Sequence, residues 1–146
     1  MIRVMLVDDH AVVRTGFRLL LQAQTEICVV AEAESGEVAC QRYLELTPDV
    51  VVLDLAMPGM GGLEALRRIR SHHPQARVLA LSAHDDPMHA RRALREGALG
   101  FLSNRSAPEA SAGTPAARKR SSMIKLDPGA VSGSDSYQSM PLRRIR

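Results

Sequence analysis

Three aspartates follow apolar segments in the first half of the chain. Asp8 and Asp9 come after the segment VMLV, and Asp54 comes after the run VVVL. Carboxylate oxygens are the ligands that hard divalent cations such as Mg²⁺ take in proteins. Carboxylates held close together repel one another, and a divalent cation relieves that repulsion. If the three side chains meet in the fold, they predict a magnesium site.

A serine and a glycine-rich loop accompany the carboxylates. Ser82 ends the run RVLAL, and the segment after Asp54 holds Met57-Pro58 and three glycines within four positions. A lone aspartate after a strand is usually a turn or cap residue. Three aspartates at two segment ends, with a hydroxyl at another, are more specific for a ligand site. The glycines would shape a loop that lets a ligand approach Asp54 and lets a backbone carbonyl face the metal.

Apolar runs alternate with helical patterns through the first hundred residues. The runs, rich in Val, Leu or Ile, predict strands at 2–7, 28–33, 49–53, 76–82 and 99–103. Amphipathic patterns predict helices at 12–24, 36–46, 62–72 and 87–96. In the first helix Val13, Phe17, Leu20 and Leu21 form the apolar stripe, and Ser35 is the expected N-cap of the second. Such alternation predicts an α/β fold with a parallel sheet covered on both sides.

The predicted sheet would bring the polar side chains to one place. Ligands of open α/β sheets bind at the carboxyl ends of the strands. Asp8, Asp9, Asp54 and Ser82 all stand at such ends. If their strands are central and parallel, the four side chains converge at one edge of the sheet.

Charge divides the 146 residues into two parts. Residues 1–109 carry 12 Arg, no Lys and 14 acidic residues, a net charge of −2, whereas residues 110–146 carry 7 basic and 2 acidic residues, a net of +5. The second part is rich in Ser, Ala, Gly, Pro and Arg, which predicts a basic, disordered or non-native tail. No apolar run approaches the roughly 20 residues that span a bilayer. With no secretion signal seen, a cytoplasmic protein with reduced Cys28 and Cys40 is expected.

Four motifs give the chain a recognisable pattern. They are VDDHAVVRTG (7–16), DVVVLDLAMPGMGG (49–62), LALSAHDD (79–86) and GALGFLSNRSAPE (97–109). On these motifs residues 1–109 resemble the receiver domain of two-component response regulators, and within them the NarL/FixJ subfamily. The resemblance implies a three-layer α/β/α, doubly wound, flavodoxin-like fold with a five-stranded parallel sheet.

The resemblance also implies roles for individual residues. Asp54 matches the phosphoacceptor, which takes a phosphoryl group from a sensor histidine kinase. Asp9 matches the direct Mg²⁺ ligand, Asp8 its acidic partner, and the backbone carbonyl of Ala56 a further metal ligand. The protein would then be a phosphoacceptor switch in transcription regulation rather than an enzyme, although autophosphorylation and slow autodephosphorylation belong to the family.

Further positions concern how the signal would be passed on. Ser82 matches the switch hydroxyl, and Phe101 sits where the family has its switch aromatic residue. Asn104 stands where the family has a lysine that pairs with the acceptor and then with the phosphoryl group. Asn carries no charge and is shorter, so signal propagation is expected to be weakened.

The pattern after Glu109 matches neither the family's fifth helix nor its helix-turn-helix. The fifth helix is therefore doubtful, and DNA binding is not expected. Without that helix, apolar surface at Val13, Phe17 and the sheet would be exposed. Self-association, including a homodimer, or coverage by residues 121–126 would follow.

Two other functions stay open at this point. A pseudo-receiver could act as a phosphorylation-independent interaction or dimerisation module. Asn104 and the missing fifth helix favour it, whereas the complete set of Asp8, Asp9, Asp54 and Ser82 opposes it. A metal-dependent phosphatase would need an acid/base aspartate two residues after its nucleophile, and the chain has Ala56 there.

Overall fold

The computed structural model describes residues 1–82 and 87–103. In this part of the chain strands and helices alternate. The strands are β1 (Ile2–Val7), β2 (Ile27–Ala33), β3 (Val50–Asp54), β4 (Val78–Ser82) and β5 (Gly100–Ser103). The helices are α1 (Ala11–Gln22), α2 (Gly36–Leu46), α3 (Gly61–His72) and α4 (Pro87–Arg95). Every strand and helix predicted within these residues is present, with bounds that differ by at most two residues.

The five strands form one parallel sheet in the order β2-β1-β3-β4-β5. This confirms the predicted doubly wound α/β architecture. The strand order reverses between β1 and β3, and in open α/β sheets such a switch point is where ligands bind. The topology alone therefore points to the carboxyl ends of β1 and β3.

One face of the sheet carries the main core. Met5, Val51 and Val78 lie side by side in register on β1, β3 and β4, and all three are fully buried. Helix α2 packs against α3, and α3 against α4, to cover this face. Burying an aliphatic side chain of this size contributes about 1.5–3 kcal/mol, so these central positions hold the strand ends at fixed distances.

The opposite face is only partly covered by the described residues. Val52 and Leu79 on this face are half-buried, and so are Val13 and Phe17 of α1, which packs on β1 and β2. The prediction that Leu20 belongs to the buried stripe is wrong, because its side chain is 70% exposed. The half-buried positions of α1 include Arg14 and Arg18, so the face turned to the sheet is rotated away from Leu20.

Local signals position the second helix as expected. Ser35 precedes α2 in an extended conformation, and its hydroxyl oxygen accepts a hydrogen bond from the Val38 N–H at 3.2 Å. Thr47, with φ of 40°, ends the helix in the left-handed region. The predicted N-cap is thus confirmed.

No helix in residues 1–82 and 87–103 is long and apolar enough to cross a bilayer. Asn104, the doubtful fifth helix and the basic tail at 110–146 lie outside the described residues, so those predictions stay predictions.

Candidate functional site

The carboxyl edge of the sheet gathers the predicted polar residues. Asp8 directly follows β1, Asp54 is the last residue of β3, and Ser82 is the last residue of β4. Since β3 lies between β1 and β4, the three positions are neighbours across the sheet. Asp8, Asp54, Ala56 and Ser82 line one cavity of about 260 Å³. We call this cavity, together with the neighbouring Asp9, the acidic pocket.

The carboxylates of the acidic pocket lie close enough to share a cation. Asp8, Asp9 and Asp54 each offer a carboxylate oxygen, and these oxygens, together with a nitrogen of His10, lie within 4.8 Å of one another. Asp8 and Asp54 are each only 7% exposed. Burying a carboxylate costs free energy unless it is paired or bound to a metal. A cation bound there would offset this cost, and a cluster of buried carboxylates is typical of a functional site.

Backbone donors orient two of the carboxylates. The Ala56 N–H donates to Asp54 Oδ1 at 2.9 Å, and the His10 N–H donates to Asp8 Oδ1 at 2.7 Å. Asp9 Oδ1 is buried and makes no hydrogen bond to a described residue, although His10 Nδ1 lies 2.9 Å away from it. A buried carboxylate oxygen without a hydrogen bond is available as a ligand for a metal ion. Together these contacts fix the carboxylates in positions where their oxygens could bind the same ion.

The electrostatics of Asp54 follow from this crowding. Burial raises the pKa of Asp54 above its ordinary value of 3.8, and the neighbouring Asp8 and Asp9 raise it further. The Ala56 N–H and the His10 ring act in the opposite direction. Ionised Asp54 is thus less stable in the folded chain than in water, and it gains from any cation that enters the pocket.

Replacing Asp54 with Asn should therefore stabilise the protein at neutral pH in the absence of metal. The expected gain is roughly 1 kcal/mol, as for other substitutions that relieve a strained site. A carboxyl whose pKa is raised by folding destabilises the protein above the folded pKa, and this penalty is absent below the unfolded pKa. The difference between Asp54→Asn and wild type should hence shrink as the pH falls through the raised pKa.

Urea denaturation at several pH values from neutral to acid measures this difference. Magnesium should reverse the ranking, because an ion that binds only the folded wild type stabilises it by mass action. Equal stability of the two proteins at neutral pH without metal would show that Asp54 is not strained by its surroundings.

The donor set of the pocket suits Mg²⁺. Three carboxylates supply oxygen ligands, one of them the buried Asp9 Oδ1, and the cavity leaves room for the waters that Mg²⁺ retains. The residues present thus fit the predicted ion.

His10 was missed as a site residue, because the five histidines are scattered along the sequence. In the fold its ring Nδ1 lies 3.1 Å from Asp8 Oδ1 as well as 2.9 Å from Asp9 Oδ1. The hydrogen bond with Asp8, followed by the charge of Asp9, raises the pKa of His10. Its place directly after two site aspartates was the signal that could have identified it.

Phe101 lies away from the pocket. It is buried on β5 in register with Ala80, at 7% exposure, and belongs to the core beneath α4. Asn104, the position of the missing lysine, lies outside the described residues.

Comparison with known proteins settles the family. The model of the response regulator receiver domain matches residues 4–111. The chain belongs to the response regulator receiver domain family. This confirms the resemblance drawn from the four motifs, and the comparisons give no support to a phosphorylation-independent module.

Individual receiver-domain proteins are similar to this chain over the same region. Response regulator GacA from Pseudomonas viridiflava is 43% identical over 102 residues, which cover 70% of this chain and 48% of GacA. A two-component response regulator of the LuxR family from Aurantimonas sp. SI85-9A1 is 44% identical, with a TM-score of 0.70, and the match covers 73% of this chain and 76% of that chain.

The signal receiver domain of the putative response regulator NarL from Mycobacterium tuberculosis is 40% identical, with a TM-score of 0.67. That match covers 70% of this chain and 82% of that chain. The chain spans about half the length of the curated relatives it matches, so these comparisons concern the receiver domain alone.

Proposed function

We propose that this receiver domain accepts a phosphoryl group on Asp54 from a sensor histidine kinase, in a reaction that requires Mg²⁺. The observation that carries the proposal is the gathering of Asp8, Asp9 and Asp54 within 4.8 Å at the switch point of a parallel sheet. Receiver-domain membership supports both the reaction and the metal. The domain would span residues 1–109, which agrees with the family match at 4–111.

Asp54 is suited to act as the nucleophile. The Ala56 N–H holds Oδ1, and we assign the attack on phosphorus to Oδ2. A bond forms between Oδ2 and phosphorus while the bond to the donor's imidazole nitrogen breaks, and the product is an acyl phosphate.

The metal would supply neutralisation of the phosphoryl oxygens, which is the main requirement of phosphoryl transfer. Asp8, Asp9 and Asp54, with the backbone carbonyl of Ala56, would hold it. The His10 N–H orients Asp8 by donating to its Oδ1, and Asp9 Oδ1 is buried and makes no hydrogen bond to a described residue. The proposed roles agree with those that the family resemblance implies.

Ser82 and Phe101 would carry the signal to the surface. Ser82 ends β4 next to Asp54 and is 1% exposed, and Phe101 lies on the adjoining strand β5. A phosphoryl group on Asp54 offers new acceptor oxygens to the Ser82 hydroxyl, so a shift of β4 is coupled to the aromatic position on β5. Asn104 carries no charge to stabilise that state, which we expect to make it less populated than in relatives with lysine.

The protein would thus be a phosphoacceptor switch of the bacterial cytoplasm, able to phosphorylate itself from small donors and to lose the group slowly. Self-association into a homodimer through the partly covered sheet face remains part of the proposal. DNA binding is not proposed for the described residues.

Beryllofluoride, which mimics a phosphoryl group on a carboxylate, tests the proposal. Calorimetric titration of the full chain should show saturable binding of one equivalent when Mg²⁺ is present and none when the metal is chelated. Binding should vanish in Asp54→Asn, because beryllium takes its fourth ligand, beside three fluorides, from an ionised carboxylate oxygen that the amide lacks. Absence of binding to the wild type at millimolar Mg²⁺ would contradict the proposed function.

A further inference from the structure

We propose that His10 Nδ1 is a fourth ligand of the acidic pocket and makes it favour later transition-metal ions such as Co²⁺ over Mg²⁺. The inference rests on the proposed function, since it uses the same aspartates. It goes beyond that function, because the family resemblance assigns no role to this histidine.

The position of His10 is fixed by its backbone. His10 is the N-cap of α1, with φ of −90° and ψ of 108°, and its N–H donates to Asp8 Oδ1 at 2.7 Å. This contact ties the residue to Asp8 from the main-chain side. The ring then lies with Nδ1 facing the two carboxylates, although 67% of the side chain is exposed. His10 also lines the cavity.

The distances place Nδ1 within the ligand set. It lies 3.1 Å from Asp8 Oδ1 and 2.9 Å from Asp9 Oδ1, and the atoms of the four residues lie within 4.8 Å of one another. Two ligands of a single ion with bonds of about 2.0–2.2 Å are typically about 3 Å apart when they are neighbours in the coordination sphere. The spacing of nitrogen and oxygen here is of that size.

The chemistry of the donors decides which ions gain from His10. Carboxylate and water ligands suit Mg²⁺ and Mn²⁺, whereas an imidazole nitrogen suits later divalent ions. Affinity for a mixed nitrogen and oxygen site rises from Mn²⁺ to Co²⁺ and Ni²⁺. A pocket of three carboxylates and one imidazole should therefore bind Co²⁺ more tightly than one made of carboxylates alone, while Mg²⁺ gains little.

A simpler interpretation is that His10 only forms an ion pair with Asp8 and Asp9. The two interpretations predict opposite changes in Co²⁺ affinity when the imidazole of His10 is removed. An ion-paired imidazolium competes with every cation, so its removal would strengthen the binding of Co²⁺ and Mg²⁺ alike. A ligand contributes to binding, so its removal would weaken Co²⁺ selectively.

Calorimetric titration of the full chain with Mg²⁺ or Co²⁺ alone measures this difference. Loss of even an outer partner of a metal ligand changes affinity roughly 10- to 100-fold. His10→Asn should accordingly weaken Co²⁺ binding at least about tenfold, without weakening Mg²⁺ binding. His72→Asn is the matched control, because His72 is an exposed residue near the end of α3, where its Nδ1 contacts the Arg68 carbonyl. This variant should bind both ions as the wild type does.

Pulsed electron paramagnetic resonance gives a direct readout that does not depend on activity. Mn²⁺ bound to the wild type should show coupling to a ¹⁴N nucleus, and this coupling should be lost in His10→Asn and kept in His72→Asn. Mn²⁺ bound without nitrogen coupling would overturn the inference and leave the proposed function intact. Failure of the wild type to bind Mn²⁺, Co²⁺ or Mg²⁺ would overturn both.

Discussion

The Asp54→Asn variant is expected to take up no phosphoryl group. An amide has no ionised oxygen to attack phosphorus, and of the three pocket aspartates only Asp54 ends a central strand with an oxygen held by the Ala56 N–H. Asp8 and Asp9 are the carboxylates proposed to hold the metal, so neither is expected to replace the nucleophile. The wild type, incubated with acetyl phosphate and Mg²⁺, should gain the mass of one phosphoryl group, measured on the intact chain. The variant should gain nothing above background.

Asp49→Asn is the matched control for this change. Asp49 directly precedes the same strand but stands at its opposite end, where it is exposed and its Oδ2 accepts from the Arg3 N–H at 2.7 Å. This variant should be phosphorylated as the wild type is. A phosphoryl gain in Asp54→Asn equal to that of the wild type would place the acceptor elsewhere.

Replacing Gly62 with Ala should lower the free energy of unfolding by about 3 kcal/mol, more than any other substitution proposed for this protein. A Cβ atom at this position would lie 2.1 Å from the Asp54 carbonyl oxygen and 2.6 Å from Leu55 Cα. Both atoms belong to the backbone at the end of β3, so no side-chain rotation can relieve the overlap. Helix α3 would have to move away from the strand that carries Asp54, and the acidic pocket would open with it.

Gly16→Ala provides the comparison. Gly16 lies within α1, and a Cβ there would meet no heavy atom within 4 Å. Alanine in a helix is favoured over glycine by roughly 0.5–1 kcal/mol, so this variant should be more stable than the wild type. Urea denaturation of both variants measures the difference. A Gly62→Ala protein as stable as the wild type would mean that α3 does not pack directly on β3.

The alignment of the three aspartates could be predicted because two simple signals agree. Apolar runs without strict alternation identify buried parallel strands, and the carboxyl ends of such strands meet at one edge. Asp54 and Ser82 end their strands in the structure, as expected. The arrangement of Asp8, Asp9 and Asp54 thus follows from strand ends and needs no knowledge of side-chain contacts.

Features that depend on how helices pack against the sheet could not be predicted from the sequence pattern. The glycines after Asp54 were expected to shape an open loop, and Gly59 and Gly61 do have positive φ values of 74° and 73°. Gly62 instead allows α3 to approach the backbone of Asp54 closely. The spacing of residues in the sequence does not reveal this contact. The direction of the His10 ring depends on the conformation of one N-cap, and the exposure of Leu20 depends on the rotation of α1 about its axis.

The position of the phosphoryl group tests the central claim most directly. The full chain is phosphorylated with acetyl phosphate and Mg²⁺ and then reduced with borohydride, which converts an aspartyl phosphate into homoserine. Peptide mass spectrometry should find homoserine at position 54 and none when Mg²⁺ is chelated. Homoserine at another aspartate, or phosphorylation that does not need the metal, would contradict the assignment of Asp8, Asp9 and Asp54 to one metal-dependent acceptor site.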